Sequence, residues 1–270
     1  MPYLKGLSTK GYNITILSCE KKLAFENNGT QINEQCKEAK INWEFEFYTK
    51  KPAVLSTFLD LNRMKKKALK LHKELNFSIV HCRTVLTTEI GLELQLKGAK
   101  LIFDIRGFWP DERVDGKLWN INNPLYYLIY RLFKKKEKRA YLKADRIVTL
   151  TQNAKSFLSD KFDIPSSKFG VVPCTVDLNH FKLTTELESS SNRLKKELKL
   201  EDNYPIVCYS GSLGTRYLIH EMLHFFQKMK NTFKEAKFLI VTHSDTTELK
   251  ESAEKLGIKE ALVITSTTYQ

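Results

Sequence analysis

The densest cluster of charged and aromatic side chains in the 270-residue chain runs from Asp104 to Arg113. It follows the strand-like run Lys100–Asp104, and open α/β sheets bind ligands beyond the carboxyl ends of their strands. Carboxylates there can transfer a proton or orient a hydroxyl, arginines can bind an anion, and aromatic rings can stack. The side chains predicted to act are Asp104, Arg106, Trp109, Asp111, Glu112 and Arg113. The alternative interpretation is a salt-bridged loop capped by buried aromatic rings.

A second candidate site is the glycine-containing turn Tyr209–Gly214, which stands between a strand-like and a helix-like segment. Glycine lets the backbone approach a ligand, and the start of a helix presents amide N–H groups and a positive dipole end to a phosphate. Arg216 could add a charge-assisted contact to a diphosphate. A tight connection that needs glycine only for packing would show the same pattern.

A third pattern, His220-Glu221-Met222-Leu223-His224, matches the H-E-x-x-H motif of zinc proteases. On a helix both histidines would lie on one face, with Glu221 available as a base. The extended motif with a further downstream histidine is absent. Solvated helix histidines are therefore the favoured interpretation, and a zinc hydrolase is a minor alternative.

Two basic runs, Lys65–Lys67 and Lys134–Arg139, could bind anions. The second lies in a long helical pattern with an apolar stripe, and a basic amphipathic helix can lie on anionic lipid. We expect instead that the stripe is buried in the domain and that the basic residues form a solvated face. The stripe comprises Leu125, Leu128, Ile129, Leu132, Phe133, Ala140 and Ala144.

The elements that position these residues alternate between strand and helix along the whole chain. Strand-like runs include Asn13–Ser18, Ile41–Tyr48, Phe77–Cys82 and Lys237–Thr242, with helical spacing between several of them. Such alternation predicts an α/β protein with parallel sheets covered by helices. A polar stretch divides a first Rossmann-like domain, residues 1–182, from a linker, 183–203, and a partial second domain, 204–270.

The net charge of +13 is distributed unevenly over this organisation. The first 182 residues hold 32 basic and 19 acidic side chains, whereas the remaining residues hold 12 of each. A basic domain is suited to an anionic membrane surface, a phosphorylated substrate or nucleic acid. No recognisable nucleic-acid-binding module is present, so nucleic acid is not the expected partner.

Composition also restricts the cellular compartment. No run of 18 apolar residues predicts a membrane span, and the first residues lack the apolar core of a signal peptide. The five cysteines are scattered and show no C-x-x-C spacing, which is typical of reduced thiols. We therefore expect a cytoplasmic protein, for which peripheral attachment to the inner face of the membrane is an open alternative.

Five segments in order resemble motifs of the bacterial family 4 glycosyltransferases, which have the GT-B fold. They are Pro2–Ser8 with Gly11–Ser18, Phe103–Trp109, Ala144–Thr151, Val171–Asp177 with Phe181, and Tyr209–Gly214. Each match is short, but together they extend across nearly the whole chain. One departure is that Cys174-Thr175 replaces the usual Asn-Gly, and Asn-Gly accepts a positive φ more easily.

The resemblance implies a retaining, metal-independent enzyme that transfers a hexosyl group from a nucleotide sugar to a glycan or lipid-linked acceptor. It implies no cofactor besides that donor substrate. Asp104, Arg106 and Glu112 would be the catalytic side chains at the acceptor side. The acceptor would also contact Arg83, Trp109, Asp111 and Arg113. Gly211, Ser212, Gly214 and Arg216 would bind the donor.

The resemblance also implies two elements outside these 270 residues. The family's first strand and its glycine-bearing loop would precede Pro2, and its E-x7-E donor motif would follow Gln270. We therefore expect a chain truncated at both ends relative to the family. A non-catalytic remnant that binds only an acceptor or a partner is the main alternative function.

Overall fold

The computed structural model describes residues 2–49, 55–176, 178, 181–182, 184–200, 204–214 and 217–266. Within them the chain forms parallel sheets with helices between the strands, as the alternating periodicity predicts. Arg216, Asp177 at the end of the family-like segment Val171–Asp177, and residues 183 and 201–203 of the predicted linker lie outside the described residues.

The first part of the chain contains six strands and seven α-helices among the described residues. The strands are β1 (Ile14–Glu20), β2 (Ile41–Phe47), β3 (Ile79–Cys82), β4 (Lys100–Asp104), β5 (Arg146–Thr149) and β6 (Phe169–Val171). The helices are α1 (Pro2–Ser8), α2 (Lys22–Glu38), α3 (Leu55–Leu75), α4 (Val85–Gln95), α5 (Trp109–Asp115), α6 (Pro124–Lys143) and α7 (Gln152–Phe162).

The remaining described residues form a shorter series. Its helices are α8 (Thr185–Glu197), α9 (Ile219–Thr232) and α10 (Thr247–Lys255). Its strands β7 (Ile206–Ser210), β8 (Lys237–Val241) and β9 (Leu262–Thr265) pair in that order, all parallel. Their core is centred on Phe226, Phe238 and Ile240, all almost completely buried.

Strands β3, β4, β5 and β6 pair in chain order as a four-stranded parallel sheet, and β1 and β2 form a separate parallel pair. Both sheets pack on the same helices, because Leu17 of β1 and Val80 of β3 contact one cluster around Met64 and Ala68 of α3. Within the described residues no strand pairs with the outer edge of β3, where Ile79 is 52% exposed. The first strand that the resemblance implies stays a prediction.

The four-stranded sheet is held by a core in which Leu101, Phe103 and Ile147 are almost completely buried. Helix α4 approaches this sheet closely at Gly91. A Cβ atom at that position would lie 2.6 Å from Leu101 Cδ1 and 2.7 Å from Cys82 Sγ. The glycine therefore allows close packing of the helix on β3 and β4.

Two features of the helices differ from the sequence prediction. Helix α2 was not predicted, because its sequence has little amphipathic character and buries only Gly29 and Cys36. The expectation that the α6 stripe is buried is wrong for its first half. Leu125, Leu128 and Leu132 are exposed, whereas the stripe is buried from Phe133 onward.

The chain divides into two compact units. One comprises Met1–Pro110 and Ile121–Cys174, and the other comprises Asp111–Asn120 and Thr175–Gln270. The predicted boundaries at 182–183 and 203–204 stay predictions. Within the described part of the chain, no helix combines the length and the apolar character needed to cross a membrane.

Candidate functional site

Asp104 is the last residue of β4, at the carboxyl edge of the four-stranded sheet. Its side chain is only 2% exposed, although it ends in a carboxyl group. Burial of an unpaired carboxylate is costly, so its partners determine whether it stays ionised. Those partners come from the ends of β3 and β4, because the carboxyl ends of adjacent parallel strands lie side by side.

Three basic side chains surround one oxygen of this carboxylate. His81 Nε2 lies 3.0 Å from Asp104 Oδ2, and Arg106 Nη2 lies 3.1 Å from the same atom. Arg83 Nε is 3.9 Å away. The other oxygen, Oδ1, is buried and has no hydrogen-bond partner among the described residues. We name His81, Arg83, Asp104 and Arg106 the strand-end cluster.

The strand-end cluster holds Asp104 as an anion. Burial acts to raise the pKa of this carboxyl, but the hydrogen bond from His81 and the positive charges of Arg106 and Arg83 outweigh it, so the pKa is lowered. An ionised carboxylate can only accept hydrogen bonds, so His81 donates through Nε2–H. When the imidazole is neutral, its Nδ1 is then left as an acceptor.

The sequence analysis predicted Asp104, Arg106 and Arg83, and the structure brings these three together. It missed His81, which sits in the strand-like run Phe77–Cys82 with no distinctive motif around it. A usable signal was its position next to the last residue of β3, since β3 pairs with β4 and Cys82 lies opposite Phe103.

The other residues predicted at the acceptor side lie on α5. The Trp109 ring packs on the buried Phe133 of α6, with ring centroids 5.0 Å apart. Asp111, Glu112 and Arg113 are half-buried and belong to the segment Asp111–Asn120 of the other compact unit. Their acceptor-side roles stay predictions.

The turn after β7 differs in one respect from the predicted donor site. We expected the Gly211 amide to face a diphosphate, but it donates to the Val241 carbonyl oxygen at 3.0 Å. The turn is instead shaped by Tyr209, whose hydroxyl donates to the Ser212 carbonyl oxygen at 2.7 Å. A Cβ atom at Gly211 would lie 3.0 Å from that hydroxyl, so a larger residue there would have to displace the Tyr209 side chain.

The remaining predicted donor residues keep their backbone amides without a partner in the described residues. The Ser212 and Gly214 N–H groups donate no hydrogen bond there, whereas Leu213 N–H donates to Ser244 Oγ at 3.0 Å. Helix α9 begins shortly afterward at Ile219, and no side chain caps its N-terminus. Two amides without a partner among the described residues and an uncapped helix start therefore follow β7 in the chain.

The H-E-x-x-H pattern on α9 does not assemble a metal site among the described residues. His220 lies 3.5 Å from Glu248 of α10, and both side chains are largely exposed. No group of three or more His, Cys, Asp or Glu side chains within the described residues could hold a metal ion. The zinc hydrolase alternative therefore gains no support from this part of the chain.

The comparison with protein families shows which family the chain belongs to. The family model described as Glycosyltransferase Family 4 matches residues 3–180, which is well over half of the chain. The chain belongs to glycosyltransferase family 4. The match includes β1 to β6 and the whole strand-end cluster of this family 4 chain.

Solved structures share the fold of this family 4 chain at low sequence identity. A glycosyltransferase from Rickettsia africae ESF-5 matches with a TM-score of 0.64 and 18% identity, covering 98% of this chain and 62% of its own. HepE of Anabaena, solved with UDP, matches with a TM-score of 0.63 and 11% identity, covering 95% and 70%. No curated protein matches the sequence.

A UDP-GlcNAc 2-epimerase from Neisseria meningitidis, bound to UDP-GlcNAc, also matches, with a TM-score of 0.54 and 11% identity over 99% of this chain and 68% of that one. The α/β fold, which is that of GT-B glycosyltransferases, thus occurs in transferases and in an epimerase. Fold does not fix function. The family match, and not the fold, is what assigns the chain to glycosyltransferase family 4. The chain spans about three fifths of the length of the Rickettsia relative.

Proposed function

We propose that this chain provides the acceptor side and part of the donor side of an enzyme that transfers a hexosyl group from a nucleotide sugar. The acceptor is a glycan or a lipid-linked glycan precursor in bacterial cell-surface polysaccharide synthesis. The proposal depends mainly on the family match over residues 3–180. The strand-end cluster supports it, because it offers charged and titratable groups at a sheet edge suited to ligands.

The strand-end cluster is suited to an acceptor that carries a phosphate. Asp104 neutralises part of the surrounding positive charge, but Arg83 and Arg106 remain 65% and 40% exposed and can contact an anion. The fork of a guanidinium matches phosphate oxygens in pairs. In this proposal Asp104 positions Arg106 and His81, and the two arginines bind the phosphate of a lipid-linked acceptor.

His81 is suited to a proton transfer at the acceptor hydroxyl. Its Nε2–H is fixed by Asp104, and the partly exposed ring leaves Nδ1 to accept a proton. Asp104 then stabilises the imidazolium that forms, because it is an adjacent buried anion. The donor diphosphate would lie against the Ser212 and Gly214 amides, where developing negative charge is stabilised by N–H groups.

The proposed reaction retains the anomeric configuration and uses no metal, both of which follow from the family resemblance. The nucleotide of the donor is proposed to be a uridine diphosphate. HepE of Anabaena was solved with UDP, and the Neisseria epimerase with UDP-GlcNAc. We also propose a cytoplasmic location with peripheral attachment to the membrane.

The test is a transfer assay with the purified chain, UDP-hexoses and extracted bacterial lipid-linked acceptors, with product detected by mass spectrometry. Removing a positioned acid or base costs about 10²–10⁴-fold in rate, so His81→Ala and Asp104→Asn should each lose at least 100-fold. Asp115→Asn, an exposed carboxylate on α5, is the matched control and should keep full activity.

Three results have distinct meanings. Transfer that depends on His81 and Asp104 supports the proposal. Transfer that survives both substitutions refutes the roles given to the strand-end cluster. Saturable acceptor binding without any transfer favours the alternative of a non-catalytic binding protein.

A further inference from the structure

Helix α6 has an exposed apolar face along its first half. Leu125, Leu128 and Leu132 are 63%, 67% and 41% exposed, and their spacing places them on one side of the helix. Tyr126 and Tyr127 are exposed beside them. Monomeric proteins expose single leucines often, but a contiguous group of this kind indicates an interaction surface.

This face is not left over from a poorly seated helix. The opposite side of α6 is packed into the domain through Phe133, Ala140 and Tyr141, all buried. The start is well defined too, because Asn123 accepts from the Leu125 amide at 2.9 Å and Pro124 occupies the first turn. The exposed leucines therefore belong to a fixed, folded helix.

The second half of the outward face is basic. Helix α6 contains seven Lys or Arg side chains and a single acid, Glu137, which is buried. Lys134 pairs with that glutamate, and Lys136 and Arg139 pair with Glu89 of α4. Within the described residues, no carboxylate pairs with the exposed Lys135 or Lys143.

Helix α6 runs toward its apolar start in the direction of the sheet edge that carries the strand-end cluster. Its last residue, Lys143, has its carbonyl oxygen 3.0 Å from Gln95 Nε2 at the end of α4, and the next strand begins at Arg146. The helix therefore ends near the amino edge of the sheet. Its start lies toward the opposite, carboxyl edge, and Trp109 close to β4 packs on Phe133.

Leucines flanked by tyrosines and followed by unpaired lysines match the interfacial zone of an anionic bilayer. Apolar side chains enter the acyl boundary, tyrosines lie at the headgroups, and lysines meet lipid phosphates. Nucleic acid would use the lysines but not the leucines. An acidic protein would be expected to meet an apolar core surrounded by charge, whereas here the two are separated along the helix.

We propose that the face of α6 formed by Leu125, Leu128, Leu132, Lys135 and Lys143 docks this chain on an anionic lipid bilayer. We name it the α6 face. The apolar start then enters the headgroup region beside the strand-end cluster, where a lipid-linked phosphate would be presented. The proposal relies on the proposed function only for that last consequence, because bilayer docking needs neither donor nor acceptor.

The test measures partitioning of the purified full chain to phosphatidylglycerol/phosphatidylcholine vesicles and to pure phosphatidylcholine vesicles, by co-sedimentation without nucleotide sugar. Each basic residue near an anionic surface contributes about 1 kcal/mol, or about 5-fold. Lys135→Glu/Lys143→Glu should therefore weaken partitioning to the anionic vesicles by at least about 25-fold. Leu125→Ser/Leu128→Ser should weaken it by at least about 10-fold, since each leucine loses apolar burial.

Matched controls distinguish binding through the α6 face from the effects of net charge and of nonspecific hydrophobic adsorption. Lys66→Glu/Lys73→Glu changes the net charge equally but on α3, and Leu23→Ser/Leu96→Ser removes two exposed leucines elsewhere. Both should bind like the unmodified chain, and all four variants should keep its thermal midpoint because every changed side chain is exposed. Equal weakening by the controls would overturn the proposal.

Two further outcomes contradict it. One is equal partitioning of the unmodified chain to both vesicle types. The other is that the unmodified chain binds double-stranded DNA in a salt-sensitive way, and that Lys135→Glu/Lys143→Glu abolishes this binding but leaves vesicle binding unchanged. That result would assign the α6 face to nucleic acid. A chain that fails to transfer sugar but partitions as expected leaves the docking proposal standing and counts only against the proposed function.

Discussion

Replacing Asp104 by Asn removes the charge of the strand-end cluster while keeping the shape of the side chain. The carboxylate accepts a hydrogen bond from His81 at 3.0 Å and forms an ion pair with Arg106 at 3.1 Å, and a hydrogen bond to a charged group contributes about 1.5–3 kcal/mol. The loss should be smaller than their sum, because 40% of the Arg106 side chain is exposed and can turn to water. We expect the free energy of unfolding to fall by about 2 kcal/mol at pH 7.

The pH dependence of this difference tests the cause. The pKa of Asp104 is lowered in the folded protein, so its contribution to stability is complete above the ordinary aspartate pKa of about 3.9. It is lost as the pH falls through the lower, folded value, since a protonated carboxyl resembles an amide. The stability difference between the unmodified chain and Asp104→Asn should thus shrink as the pH falls below about 4.

The assay is urea unfolding followed by tryptophan fluorescence, with Trp43 and Trp109 reporting on the unit that contains Asp104. A difference of about 2 kcal/mol lowers the thermal midpoint by about 4–8 °C in a domain of this size. Asp115→Asn is the control and should leave stability unchanged. An Asp104→Asn variant as stable as the unmodified chain at pH 7, or a difference just as large at pH 3, would refute the reasoning.

Three further predictions concern packing and reactivity. Gly91→Ala should lower the free energy of unfolding by about 1–2 kcal/mol in urea titrations, because the buried Leu101 and Cys82 leave no room for a methyl group. Tyr209→Phe should cost about 1 kcal/mol in the same measurement, by removing the hydroxyl that donates to Ser212. Burial raises the pKa of the Cys82 thiol to about 12, so a disulfide reagent at pH 8 should modify the exposed thiols at least 100-fold faster.

The alternation of strands and helices could be predicted because buried strands leave a clear apolar signature. The run Lys100–Asp104 became β4, and the run Phe77–Cys82 contains β3. Helix α2 left no such signature, since it covers the β1–β2 pair with few side chains. Its Phe25 ring contacts the rings of Trp43 and Phe45, but its remaining residues are mostly polar.

The strand-end cluster could be predicted in part, because strand ends are recognisable and parallel strands end together. Asp104 and Arg106 were found from one segment, whereas His81 required knowing that β3 and β4 are neighbours. The exposed start of α6 could not be predicted, because periodicity shows which residues share a face and not whether anything covers it. A stripe that is buried at Phe133 and exposed at Leu125 is continuous in the sequence.

Helix α6 and strand β4 connect the α6 face to the strand-end cluster. The proposed docking and the proposed transfer can therefore be distinguished by their separate effects on KM and kcat. Asp145, two residues after α6, accepts from the Leu101 amide at 2.8 Å and from Gln95 at 2.7 Å, which fixes the helix end to the start of β4. Asp104 ends the same five-residue strand. The distance from the bilayer to Arg106 is therefore set by one strand and one helix.

This geometry predicts that variants of the α6 face and of the strand-end cluster change different kinetic parameters. With a membrane-embedded acceptor, Leu125→Ser/Leu128→Ser should raise the KM about 10-fold and leave kcat unchanged, because docking only concentrates the chain at the acceptor. With a short-chain acceptor dissolved in water, the same variant should show unchanged KM and kcat. Asp104→Asn should instead reduce kcat for both acceptors, since in the proposed function its partners act on the acceptor itself. A leucine variant that loses kcat with the water-soluble acceptor would mean that α6 shapes the site directly, and the separation of docking from transfer would be wrong.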